Sequence, residues 1–77
     1  MYHGRIPIHD IYLAAFCSYR GLLVDLLKED RRVIFILADC PETFRVMGEL
    51  NLNPTLPLLD FLPHLKKLRG QMVGMRG

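Results

Sequence analysis

The stretch Arg32-Val33-Ile34-Phe35-Ile36-Leu37-Ala38 constrains this chain more than any other. It is β-branched and aromatic, bounded by charge on both sides, and too short to span a bilayer. A run of that kind predicts a strand. Both of its faces are apolar, so both need cover, since a strand exposed on one side alternates apolar with polar residues. The preceding run, Leu22 to Lys28, is separated from it only by Glu29-Asp30-Arg31, and so short a link predicts an antiparallel hairpin. Two strands alone are marginal in water, so helices must cover one face of the hairpin and a further surface must meet the other.

Helical patterns flank the hairpin. Ile11, Tyr12, Ala15, Phe16 and Tyr19 fall on one face of a helix over 10–20, with Asp10 at the N-cap and Gly21 at a left-handed C-cap. A second helix is expected from Asp39, as cap, through Pro41 in its first turn. It would turn Phe44, Met47 and Leu50 inward and stop before Pro54. In the last segment Phe61, Leu65, Leu68 and Met72 make an apolar stripe, and Asp60, His64, Lys67 and Gln71 a polar one. Pro63 interrupts this pattern. Starting the helix at Asp60 as cap places the proline in the first turn, where its missing N–H is harmless. The expectation is a single α+β domain over residues 1–77, ordered from about 9 to 72 with mobile tails, in the order helix–hairpin–helix–helix (α-β-β-α-α).

Pieces of this pattern resemble a small family of unknown function from bacteria and their mobile elements. They are Asp10-Ile11-Tyr12-Leu13-Ala14-Ala15-Phe16, Gly21, Val33-Ile34-Phe35-Ile36-Leu37 and Leu65-Lys66-Lys67-Leu68-Arg69. His9 stands where that family has Ser or Thr, and Pro63 departs from it. The resemblance implies a fold and carries no activity.

Composition enters through the size of the chain. At 77 residues a domain buries about 60–65% of the surface its unfolded chain exposes, yet 51% of these residues are hydrophobic. That surplus predicts a homodimer, with Leu23, Leu27, Val33, Phe35 and Leu37 as the expected interface and their opposite faces packed inside. The N-terminal segment has no apolar run like that of a leader peptide and no segment reads as membrane-spanning, so the expected setting is cytoplasmic.

Chemistry is sparse. Cys17 and Cys40 have no CxxC spacing and read as buried small hydrophobes, although a thiol at a helix start, as Cys40 would be, is activated. His3, His9, Asp10 and Cys17 lie close in sequence without the spacing a metal needs, and Asp60–His64 reads as a local charge pair. No glycine-rich phosphate loop or paired-carboxylate motif is present, so neither cofactor nor catalysis is expected. The reading is a protein-interaction or accessory module with an unknown protein partner.

A second reading is a nucleic-acid-binding accessory protein. The net charge of +2 argues weakly for it, but Arg31 and Arg32 lie at the hairpin turn and Lys66, Lys67, Arg69 and Arg76 cluster late in the chain. The strand–helix–helix order from Arg32 resembles that of ribbon-helix-helix repressors, which read bases with polar strand residues. Val33 to Leu37 cannot do so.

Overall fold

The computed structural model describes residues 4–76 of the chain. It is an α+β fold with one more strand than the sequence pattern suggested: β1 (Arg5–Ile8), α1 (Ile11–Tyr19), β2 (Asp25–Glu29), β3 (Arg32–Ala38), α2 (Pro41–Asn51) and α3 (Leu58–Arg76). The expected hairpin is present, closed by Asp30 and Arg31, with Asp30 taking the positive φ (57°) that the reversal needs. β3 is the centre of the sheet, antiparallel to β1 on one side and β2 on the other. β1 and β2 are therefore parallel and separated by β3, a split β-α-β arrangement.

Segment 5–8, expected within a mobile tail, is this edge strand. Ile6 and Ile8 stand opposite Leu37 and Phe35, and they add to the helix-facing side of the sheet. Pro7 lacks the N–H a central strand would need, and an edge strand tolerates that loss. The other expected tail, from Val73, continues as helix to Arg76. Residues 1–3 and 77 lie outside the described residues.

Register decides which side chains face the helices. Phe35, Leu37, Ile6, Ile8 and Leu26 share that face, where Phe35 and Leu37 are each 1% exposed and pack in one cluster with Ala14, Ala15, Phe16, Cys17, Val46, Leu65 and Leu68. The outer face carries Arg5, Pro7, Asp25, Leu27, Ile34 and Ile36. Ile34 and Ile36 are buried there too, flanked by Pro7 and Leu27. Arg5 and Asp25, from the two edge strands, approach within 3.6 Å of each other on that face.

The helices begin and end for local reasons. Asp10 caps α1 by accepting a hydrogen bond from the Tyr12 N–H at 2.9 Å. At its other end Gly21 (φ +90°) donates to the Ser18 carbonyl and Leu22 donates to the Cys17 carbonyl, the Schellman pattern. Helix α2 is capped by Cys40 instead of Asp39, whose N–H is used by the Gly4 carbonyl as an extension of the β1–β3 ladder. The face of α2 turned to the core also differs from the expected one. Thr43 and Val46 are buried with Met47 and Leu50 beside them, and Phe44, expected inward, is exposed.

Helix α3 starts at Leu58, two residues before the expected cap, because the Pro57 carbonyl accepts from both Asp60 and Phe61. Pro63 thus lies inside the helix. It shares the solvent side with Leu59, whose carbonyl loses its helical donor where water can replace it.

Two outcomes test this packing. Pro63→Ala restores one helical hydrogen bond and should raise the unfolding free energy by about 2 kcal/mol, read as a higher urea midpoint. Phe35→Glu places an unpaired carboxylate in the core and should abolish the cooperative thermal transition seen by circular dichroism.

Candidate functional site

A concave surface lies where α1 and α2 end. The Schellman turn brings Arg20 out of α1, and α2 stops at Asn51 with Leu52 and Asn53 closing its last turn. Asn53 then adopts a left-handed φ of 53°, which bends the chain into Pro54, Thr55 and Leu56. These segments enclose a cleft of about 310 Å³ lined by Phe16, Tyr19, Arg20, Glu49, Leu52, Pro54, Thr55 and Leu56. Its volume is at the lower end for small-molecule sites and suits a large apolar side chain.

The rim is polar and fixed. Arg20 donates from Nε to Glu49 Oε1 at 2.8 Å and from Nη2 to Oε2 at 3.1 Å, a two-bond fork. Those hydrogen bonds, and the carboxylate's charge, raise the Arg20 guanidinium above its ordinary range. Arg45 approaches the same carboxylate at 3.4 Å and Glu42 at 3.9 Å. So exposed a network adds little stability, but it orients the ends of α1 and α2 relative to one another.

Behind the floor an aromatic chain ties α1 to α3. The Tyr19 ring lies 6.3 Å from both Phe16 and Phe61 and 6.1 Å from His64. The His64 Nδ1 and Ser18 Oγ are 2.8 Å apart. His64 was expected to pair with Asp60 on a solvated face. It is instead half-buried against α1, because the α1–α3 contact takes up that side of the helix. No carboxylate is hydrogen-bonded to His64 among the described residues, so the Ser–His pair lacks the third group that orients a catalytic base.

The cysteines differ. Cys17 is fully buried and its thiol is pushed up to about 11 by desolvation. Cys40 is partly exposed at the start of α2, its Sγ 3.3 Å from Thr43 Oγ1, and its thiol is shifted down by that hydrogen bond and by the Thr43 backbone N–H. His64 is engaged with Ser18 and Tyr19, and no contact among the described residues brings it to Cys40. Among the described residues no group of three or more His, Cys, Asp or Glu is placed to share a metal ion, and His3 lies outside them.

The residues read as an intermolecular face separate. Val33, Phe35 and Leu37 are inside this chain, because register turns Phe35 and Leu37 onto the helices. Leu23 and Leu27 remain accessible, at 81% and 41% exposure. Arg31 and Arg32 are exposed at the hairpin turn, and Lys66, Lys67 and Arg69 are exposed on α3. The side chain of Arg76 lies outside the described residues.

Sequence reasoning missed the cleft and the leucines around it. Leu52, Leu58 and Leu59 are 81%, 61% and 85% exposed; Leu52 lines the cleft, and Leu58 and Leu59 follow the cleft-lining Leu56 by two and three residues. The available signal was four leucines in a segment broken by Pro54 and Pro57, too irregular to bury them all. No helix among the described residues is long and apolar enough to cross a membrane. No family model, curated protein or solved structure matches the chain.

With iodoacetamide near neutral pH, Cys40 should be alkylated in the folded protein and Cys17 only after denaturant is added, as peptide mass mapping would show. Because the Cys17 thiol ionises near 9 when unfolded but near 11 when folded, stability should fall as pH rises through that interval. A flat urea midpoint from pH 8 to pH 11 would contradict its burial.

Proposed function

We propose that this chain is a non-catalytic protein-interaction module that pairs with a second copy through its leucine-rich end. The observation that carries this reading is exposed Leu52 in the lining of an apolar cleft, with exposed Leu58 and Leu59 two and three residues after the lining Leu56 and exposed Leu23 three residues after the lining Arg20. Such a patch contains both a projecting side chain and a receptacle. Two copies related by a two-fold axis can therefore each insert a leucine into the other's cleft. The Arg20–Glu49–Arg45 network would form the polar rim that specific interfaces carry around an apolar centre.

Surface area supports a partner. A compact monomer of 8.9 kDa exposes about 4,800 Å². This chain exposes 5364 Å², consistent with its flat extents of 35 × 29 × 17 Å. The excess is a large part of the roughly 800 Å² that each partner contributes to a standard interface. The sheet, where pairing was first expected, offers less: its central side chains are buried on both faces, and Leu27 is the large apolar residue left open on its outer face.

The deciding measurement is mass by light scattering on a sizing column. The parent chain should elute at about twice 8.9 kDa, and Leu52→Asp and Leu59→Asp at 8.9 kDa with unchanged circular dichroism. A monomeric parent, or variants that stay dimeric, would overturn the proposal.

A further inference from the structure

The fold sorts the cations of this chain into two populations. Arg5, Arg20 and Arg45 each lie beside a carboxylate, at 3.6, 2.8 and 3.4 Å. Lys28, Arg31, Arg32, Lys66, Lys67 and Arg69 make no ion pair among the described residues. The sequence carries the same division: no acid follows Asp60, and the sixty residues up to and including it hold all eight acids. A net charge of +2 conceals a polar distribution.

Topology gathers the unpaired cations at one end. Helix α3 is antiparallel to α1, since Tyr19 meets Phe61 and Ser18 meets His64. Helix α1 begins three residues after Ile8, whose strand partner is Phe35. Helix α3 therefore runs back along α1 toward the closed end of the β2–β3 hairpin, packing on both strands as it goes. At that end Arg31 and Arg32 occupy the turn. Lys28 stands on the helix-facing side of the edge strand β2, opposite Val33, the side on which α3, with its exposed Lys66, Lys67 and Arg69, packs. The acids there are Glu29 and Asp30, fewer than the cations.

The relief of α3 suits a close approach. Gly70 and Gly74 are exposed, and a side chain at either would meet nothing within 4 Å. Beside them Lys66, Lys67 and Arg69 rise above bare helix backbone. No aromatic side chain lies on the second half of α3, so there is no stacking platform for single-stranded bases. The apolar residues of β3 are internal and can read no base edge.

We propose that this surface binds the phosphate backbone of double-stranded nucleic acid without sequence preference. Lys66, Lys67 and Arg69 supply the main contacts, and Lys28, Arg31 and Arg32 extend them along the duplex. The leucine-rich cleft at the other end of α1 takes no part.

The test is fluorescence anisotropy of labelled DNA duplexes of about 20 base pairs with the whole chain. With four phosphates engaged, raising salt from about 50 to about 200 mM should weaken binding about a hundredfold. The double variant Lys66→Glu/Lys67→Glu should show no binding at the lower salt. Gly70→Glu should lose more than about tenfold while melting no lower than the parent, because it replaces a helical glycine into open space. The proposal is overturned by salt-insensitive binding, by no binding at about 50 mM, or by undiminished affinity in either variant. It is equally overturned if two unrelated duplex sequences differ by more than about tenfold, or if polyglutamate displaces the duplex at equal charge, which would make the partner an acidic protein segment.

Discussion

Everything in this fold is organised around a strand that is apolar on both faces and hydrogen-bonded on both edges. β3 cannot lie at the margin of a sheet, because its backbone groups and both rows of side chains all require partners. The hairpin supplies one edge and the short β1 the other. Phe35 and Leu37 then demand a helical layer, and Ile34 and Ile36 are left to the flanking Pro7 and Leu27 on the other side. The small residues Ala14, Ala15 and Cys17 follow from this, since α1 is pressed between the sheet and two other helices and has room for little more.

Once β3 is enclosed within one chain, surplus apolar surface has to appear elsewhere. Part of it lies where α1 and α2 terminate and the proline-broken segment 52–57 turns into α3. Helix ends are poor places to bury leucines, because the chain there is occupied with satisfying its terminal carbonyls. The same molecule exposes its unpaired cations at the other end of α3. Its two proposed surfaces are therefore spatially separate and chemically unlike, one apolar with a fixed ionic rim and one cationic over bare helix. Neither needs the half-buried polar pair Ser18–His64, which ties α1 to α3.

Much of this architecture was legible in the residues, because its signals are local. The β-branched run named β3, the short polar link named the hairpin, and Asp10 and Gly21 bounded α1 through hydrogen bonds that span only a few residues. The failures share a cause as well. Arg5 to Ile8 is too short and too proline-marked to read as a strand until Phe35 and Leu37 stand opposite it. The cap of α2 is Cys40 while the Asp39 N–H bonds the distant Gly4 carbonyl, and Phe44 is exposed because Thr43 and Val46 take the buried side of α2.

The sequence by itself therefore determined the α+β class, the central strand, the hairpin and the presence of three helices, since periodicity and capping are properties of neighbouring residues. Only the tertiary structure decided which face of β3 meets the helices, a choice that a one-residue slip of register reverses. It likewise decided that Val33, Phe35 and Leu37 belong to the interior while Leu52, Leu58 and Leu59 do not. Burial depends on what packs opposite a side chain, and for this chain those partners come from strands and helices distant in sequence.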